Sequence, residues 1–432
     1  MRCNQCEQAM PYGCSGPVGN CGKDQDVQSL HEIILYGLKG MAAYAHHARR
    51  LGKTDESVSA FIEQALFSTM TNVNFDLPSL IEIAMELGQK NLRVMQMLDE
   101  GHIERFGVPS PATVREGTQA GRGILVTGHD LLDLADLLEQ VRGTDLKVYT
   151  HGEMLPAHMY PRLREHPNLA GHYGGAWHEQ REQFAQFSGP ILATSNCVLI
   201  PSEQYRDRLF TTRMTAVPGA TRLTGHDFSP VIHKALQCPP MRQRIDRTST
   251  IGFHRCVLLE MAPTIVEAIR AGKISRFYVI GGCDGARPGR NVFADYARAT
   301  PPDSFILTLG CGKFRIRNHD YGTLLGLPRL LDMGQCNDAY GAISVALALA
   351  RALGCQVNEL PLTLAISWFE QKAVAVLLTL LSLGVRGIVL GPTPPQFITP
   401  NVWSLLKDRF DLKLTGNGNG RVRLAAMAPA GA

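Results

Sequence analysis

Four cysteines open the chain at a spacing of C-x2-C-x7-C-x6-C: Cys3, Cys6, Cys14 and Cys21. The loop that carries them is short, rich in glycine and without a hydrophobic core of its own. Four thiolates so close together need something to organise them, and either tetrahedral zinc or an iron–sulfur cluster would do so. Seven further residues of metal-ligating type are scattered in sequence but share one setting. His129 follows Ile-Leu-Val-Thr-Gly, Glu153 follows Val-Tyr-Thr-His-Gly, and Cys197 follows Ile-Leu-Ala-Thr-Ser-Asn. Cys283, Cys311, Cys336 and Glu370 likewise sit just past apolar runs. A lone cysteine after a strand is ordinarily a small buried hydrophobe, so the weight lies in the coincidence of seven. In open α/β sheets, ligands bind outside the carboxyl ends of the strands, where these seven side chains could meet. Thiolates suit iron and sulfide, whereas an imidazole and two carboxylates suit harder, oxygen-bridged iron.

The elements that must position these residues change character near residue 120. Before it, Val27, Leu30, Ile33, Ile34, Leu38, Met41 and Ala42 recur at helical spacing. A second helix is expected after Thr54 as its cap. A third is expected from Asp76-Leu77-Pro78 to about Arg105, with a possible break at Gly88, followed by a linker at Val108–Ala112. After Gly121, short apolar runs alternate with amphipathic helices, which implies parallel sheets covered on both faces. The strand candidates are 123–127, 146–150, 191–194, 277–280, 305–308, 362–366 and 387–390. The expected fold is thus α/β multidomain: an N-terminal cysteine loop and helical bundle (1–120), then two Rossmann-like parallel α/β domains (121–245 and 246–432). With 432 residues the chain is long enough for such a division, and 45% apolar against 19% charged residues is the balance of a globular enzyme.

The same composition excludes other classes. A net charge of +4 with scattered Lys and Arg is no nucleic-acid footprint. The densest basic stretch, Met241–Arg247, contains an acid and reads as a solvated surface segment. No apolar leader opens the chain. The longest apolar run, 373–384, is shorter than the roughly twenty residues a spanning helix requires and reads as a buried core helix. A cytoplasmic protein is therefore expected, and there eleven cysteines point to metal or redox chemistry rather than disulfides. No nicotinamide fingerprint is present. Gly416–Gly420 lacks a following βαβ unit and reads as a turn, and Gly281–Gly285 lacks the Lys-Ser/Thr of a phosphate loop. Reducing equivalents must then come from a separate donor protein.

Together the motifs resemble the hybrid cluster protein family, also called hydroxylamine reductase or prismane protein. The matching stretches are Cys3-Asn-Gln-Cys6, Gly128-His-Asp130, Tyr149–Pro156, Thr194-Ser-Asn-Cys197, Gly282-Cys-Asp-Gly285, Gly310-Cys-Gly-Lys313, Asp332–Asp338 and Trp368-Phe-Glu-Gln-Lys372. The resemblance implies a proximal cluster on Cys3, Cys6, Cys14 and Cys21, of [4Fe–4S] type with [2Fe–2S] as the alternative. It also implies a hybrid iron–sulfur–oxygen cluster, [4Fe–2O–2S], on His129, Glu153, Cys197, Cys283, Cys311, Cys336 and Glu370. Cys283 matches the persulfide position and Lys372 a lysine beside the cluster, so Glu153, Glu370, Lys372 and Cys283 are the expected catalytic residues. The implied reaction is reduction of hydroxylamine to ammonia, or of nitric oxide to nitrous oxide. Nitric oxide sensing with S-nitrosylation, and peroxide reduction, are the alternatives.

Longer members of that family carry two related helical segments, and only one fits here, at Leu30–Tyr44. The chain thus resembles the compact form, and the surface left uncovered implies a homodimer. Cys238, Cys256 and Cys355 match no ligand position and are expected to be structural thiols. His31, His46 and His47 are expected in packing or at the surface. Tyr173 and Trp177 are candidates for either a channel wall or core packing.

Overall fold

The protein is described by a computed structural model that covers residues 3–9 and 13–415; the glycine repeat at 416–420 lies outside the described residues. Three helices follow the cysteine loop. Asp24 caps α1 (Gln25–Arg50), its carboxylate accepting from the amides of Asp26 and Val27. The cap of α2 (Glu56–Ser68) is Asp55 rather than Thr54, because the Asp55 carboxylate accepts from the Ser57 amide. Asp76 caps α3 (Leu77–Phe106), with proline in the first turn.

Helix α3 runs through Gly88 without a break, because that glycine serves packing instead. A Cβ there would stand 2.2 Å from the Leu378 carbonyl oxygen, and one on Gly40 would stand 2.5 Å from the Gln371 carbonyl oxygen. Both glycines admit the helix Gln371–Ser382, which lies across α1 and α3. It contains most of the apolar run at 373–384 and is indeed a core helix: Ala375, Leu378 and Leu381 are buried. Asn91 on α3 donates to the Thr379 hydroxyl at 3.0 Å, and that hydroxyl donates to the Gly88 carbonyl at 2.9 Å.

The first sheet comprises β1 (Ala112–Thr118), β2 (Gly123–Thr127), β3 (Lys147–His151), β4 (Leu169–His172), β5 (Ile191–Ala193), β6 (Leu209–Thr212), β7 (Thr221–Leu223) and β8 (Arg244–Ile251). Their order is β7-β6-β5-β2-β3-β4-β1-β8, parallel except for β8. The central register is Val126 opposite Thr150 on one side and Leu192 on the other. Ile124, Val126 and Val148 pack against Leu134 and Leu137 of α4 (Leu131–Gln140). Strands β1 and β8 had no clear signal in the sequence, since Thr-Val-Arg-Glu-Gly-Thr and Arg-Ile-Asp-Arg-Thr-Ser-Thr carry few apolar residues. The basic stretch is accordingly the start of an antiparallel edge strand, whose polar residues protect an open edge.

The second sheet uses β9 (Arg276–Gly282) and β10 (Ser304–Thr308). A hairpin of β11 (Thr323–Leu324) and β12 (Leu327–Pro328) follows, then β13 (Leu330–Asp332), β14 (Leu362–Ser367), β15 (Val389–Gly391) and β16 (Lys413–Leu414). The order β13-β10-β9-β14-β15-β16 is parallel throughout. Among the described residues no helix is long and apolar enough to cross a membrane. The fold is α/β, with a helical N-terminal part and two largely parallel sheets.

Candidate metal centre

Each of the seven dispersed residues leaves the carboxyl end of a strand. His129 follows β2, Glu153 β3 and Cys197 β5 in the first sheet; Cys283 follows β9, Cys311 β10, Cys336 β13 and Glu370 β14 in the second. The loops of the second sheet interlock through glycine. Gly282 and Gly310 both have left-handed φ, and a Cβ on Gly310 would stand 2.5 Å from the Gly282 carbonyl oxygen. That close approach needs residues without side chains. Cys197 itself holds φ at 67°, a conformation that costs about 1–3 kcal/mol for a non-glycine residue and marks sites whose geometry is over-determined.

The two sets of loops meet. Ligand atoms of His129, Glu153 and Cys336 lie within 4.8 Å of one another. The Cys336 amide donates to one Glu153 carboxylate oxygen at 2.9 Å, and the other, Oε1, is buried with no partner. Gln335 ties the sheets together from below: its amide nitrogen donates to the carbonyls of Glu153 at 2.6 Å and His129 at 3.2 Å. Lys372 enters from the helix Gln371–Ser382. Its Nζ lies 3.0 Å from His129 Nε2 and 3.0 Å from Asn196 Oδ1, and Glu370 Oε1 is 4.0 Å away. An ammonium only donates, so Nε2 of His129 carries the lone pair and Nδ1 the proton, which goes to Ser195 Oγ at 2.9 Å. The lone pair thus points into the site, held by a partner on the opposite ring nitrogen as metal-ligating imidazoles are.

Electrostatics describe the same enclosure. Burial pushes the thiols of Cys283 and Cys311 well above the ordinary range, and neighbouring thiols and carboxylates push the same way. Cys197 rises for the same reasons, and Cys336 is pushed up to about 11 by burial against the opposing pull of Lys372. Burial raises Glu153, partly offset by Lys313 and Lys372, and holds His129 well below its ordinary value. Burial alone would lower Lys372, but Cys336, Glu370, Cys197 and Cys283 raise it, so it stays charged. An unpartnered carboxylate oxygen and four reduced thiols gathered around it form a donor set that bare protein satisfies poorly. Iron would satisfy it.

The N-terminal cysteines make a separate site. Cys3, Cys6, Cys14 and Cys21 line one small cavity with Lys23 and Thr71. The Cys3 and Cys14 backbones pair with each other at 3.1 and 2.6 Å. All four thiols are free, as are the other seven.

Several contacts at the main site lie inside sequence motifs but carried no assigned role there: Ser195, Asn196, Gln335 and Lys313, whose Nζ donates to Asp332 at 2.6 Å and to the Gly334 carbonyl at 2.7 Å. Polar residues beside a chelating motif were the only available signal. Trp177 packs on Phe369 with ring centroids 4.2 Å apart and planes tilted by 33°, and donates to the Asp284 carbonyl, so it sits against the loops of Cys283 and Glu370. Tyr173 packs in the core against Phe187. His31 is fully buried, and His47 pairs with Asp130 at 3.2 Å. A second cluster had no sequence signature: Asp99, His254 and Asp338 lie within 4.8 Å of one another, with His254 and Arg255 both donating to Asp99.

Comparison with known proteins identifies the family. The model of the Prismane/CO dehydrogenase family matches residues 1–83 and 76–421. A hydroxylamine reductase of Moorella thermoacetica is 55% identical over 96% of this chain and 97% of its own length. One of Methanothermobacter thermautotrophicus is 44% identical over 98% of this chain and 99% of its own. One of Rhodospirillum rubrum is 53% identical over 90% of this chain but only 71% of its own, so this chain has the compact length. Among solved structures, carbon monoxide dehydrogenase IV from Carboxydothermus hydrogenoformans shares the fold with a TM-score of 0.77 at 16% identity, covering 97% of this chain and 90% of that one. Carbon monoxide dehydrogenase from Thermococcus sp. AM4 gives 0.76, also at 16% identity, over 97% and 88%. The chain belongs to the Prismane/CO dehydrogenase family and is an iron–sulfur oxidoreductase of that family.

Proposed function

We propose that the enzyme reduces hydroxylamine to ammonia and water. Two iron–sulfur centres would serve it: a hybrid iron–sulfur–oxygen cluster on His129, Glu153, Cys197, Cys283, Cys311, Cys336 and Glu370, and an electron-relaying cluster on Cys3, Cys6, Cys14 and Cys21. The carrying observation is the meeting of His129, Glu153 and Cys336 within 4.8 Å, with the Lys372 ammonium on the imidazole. The names of the Moorella and Rhodospirillum relatives support it. The reaction consumes two electrons and two protons: NH2OH + 2 e− + 2 H+ gives NH3 + H2O. When bound, the hybrid cluster supplies redox-active iron with a Lewis-acid position for nitrogen or oxygen.

The protons fall to the side chains. Glu153 keeps one carboxylate oxygen on the Cys336 amide and leaves Oε1 free, and burial keeps its proton available nearer to neutral pH. Lys372 offers a positive hydrogen-bond donor at the same spot. Glu370 caps the helix that carries it, accepting from the Lys372 amide at 3.1 Å. Cys283, the position for a persulfide, borders an apolar cavity that also reaches Cys336 and is walled by residues such as Phe277, Leu307, Ile343 and Val345. Such a wall admits uncharged molecules and disfavours anions. This favours a second reading at the same site, 2 NO + 2 e− + 2 H+ to N2O + H2O.

The reading includes a cytoplasmic setting, a separate electron-donor protein and a homodimer. Leu66 and Phe67 at the end of α2, and Met70, Val73 and Phe75 in the loop that leads to α3, are exposed apolar residues that a second copy would cover. A monomer by light scattering at working concentration removes the dimer. The main test is an anaerobic EPR redox titration of iron-replete protein joined to an ammonia assay with a reduced viologen donor. Two distinct cluster signals and sustained ammonia formation are expected. A single signal, bound zinc, or saturation after one equivalent of hydroxylamine overturns the reading.

A further inference from the structure

Three lysines are almost wholly buried: Lys23, Lys313 and Lys372. Lys313 pairs with Asp332 at 2.6 Å, and Lys372 has Glu370 at 4.0 Å. Lys23 has no carboxylate within ion-pair distance among the described residues. A buried ammonium without a counter-ion is costly, so its surroundings must answer for its charge.

They do so only in part. Lys23 Nζ lies 3.2 Å from Gln28 Oε1 and 3.1 Å from His31 Nδ1. The Gln28 orientation is fixed by its other end, which donates to Glu32 Oε1 at 2.9 Å. The His31 tautomer is fixed as well. Its Nε2 lies 3.0 Å from the Asn74 carbonyl, which can only accept, so Nε2 bears the proton and Nδ1 accepts from Lys23. Burial, with Lys23 beside it, pushes His31 down to about 4, so the ring stays neutral. Two ammonium protons are therefore spent on neutral acceptors. Neither acceptor cancels the charge, and the third proton has no acceptor among these contacts. Lys23 is also one of the residues that line the cavity of Cys3, Cys6, Cys14 and Cys21.

We infer that Lys23 is a fixed countercharge for the cluster on those four cysteines, and that it raises the reduction potential of that cluster. This rests on the reading that the four thiolates hold an iron–sulfur cluster, and it holds for either cluster type. Taking up one electron adds one negative charge, whatever the iron count. A cation in a poorly screened setting stabilises the more negative state. Lys23 is thus a positioning residue for electron entry: Gln28 and His31 hold it in place, and it touches neither substrate nor the reacting atoms.

The test is an EPR-monitored redox titration of the N-terminal cluster in the full-length, iron-replete protein, with Lys23→Met and Lys23→Arg beside the wild type. In Lys23→Met the midpoint should fall by at least 59 mV, the tenfold change of a one-electron equilibrium, while the second cluster keeps its midpoint. Lys23→Arg should stay close to wild type. A Lys23→Met midpoint equal to wild type overturns the inference. If Lys23→Met loses the cluster, retention in Lys23→Arg supports a requirement for the charge, and loss in both assigns Lys23 to packing and overturns it. Failure of the underlying reading looks different: wild-type iron content and spectrum would be unchanged by Cys21→Ala.

Discussion

The two groups of cysteines solve the same problem in opposite ways. The proposed N-terminal site takes all its thiols from residues 3–21, in a loop with little regular structure. The proposed second site draws seven residues from seven loops between His129 and Glu370, and both sheets must be complete before its His129, Glu153 and Cys336 can meet. The first is a local chelate whose geometry follows from spacing. The second is a product of tertiary structure, sealed well enough that burial dominates the pKa of most of its members. Burial of this kind suits a site that must hold protons and a small substrate apart from water.

Removing one thiol from each site breaks this comparison most sharply. Cys311→Ala should abolish hydroxylamine reduction, by more than about a thousandfold, and remove iron from the second site while the N-terminal EPR signal survives. Cys6→Ala should do the reverse to the iron and leave some activity with a small viologen that bypasses the relay. Iron analysis and EPR on both variants check this, and simultaneous loss of both signals in either one would join the two sites into a single unit. Glu153→Gln is next. It keeps the shape and removes the proton, so kcat should fall by about a hundredfold to ten-thousandfold at unchanged iron content. Full activity with intact iron would take Glu153 out of the proton path.

Stability effects are smaller. Gly88→Ala forces a methyl into the Leu378 carbonyl, 2.2 Å away, and should lower stability by about 3 kcal/mol. Thermal unfolding of the variant measures this, and an unchanged midpoint would mean that the helices separate at no cost. The smallest effect is a pH dependence. Hydrogen bonding and charge from Asp99 outweigh burial and raise His254 to about 9 from 6.5. Its stabilising contribution is therefore complete below about pH 6.5 and fades as pH rises through 9. Denaturation curves between pH 6 and 10 should show that decline in the wild type, and His254→Gln should flatten it.

Much of the architecture was legible because each signal was local. Asp24, Asp76 and Pro78 announce helix starts, and runs such as Gly123–Thr127 announce buried parallel strands. The placement of seven dispersed residues at the carboxyl ends of strands was legible from the apolar runs that precede them. What stayed hidden depended on partners far away in sequence. The edge strand β8 looked like solvated loop because its polar residues face outward. Gly88 looked like a helix break because nothing nearby in sequence shows that Leu378 presses on it. Gln335 is an ordinary polar residue until folding places it between two sheets.

The helix Gln371–Ser382 joins α3 through hydrogen bonds that span 288 and 291 residues of sequence. Synthesis delivers α1 and α3 early and this helix late, so the nascent N-terminal unit must wait with an unfilled groove at Gly40 and Gly88. During that interval the loop of Cys3, Cys6, Cys14 and Cys21 already has every ligand it needs, whereas Lys372 and Glu370 have not yet left the ribosome. Folding order therefore becomes a maturation order. The proposed electron-relay site would be loaded first, and the proposed second site completed only when the chain is nearly finished.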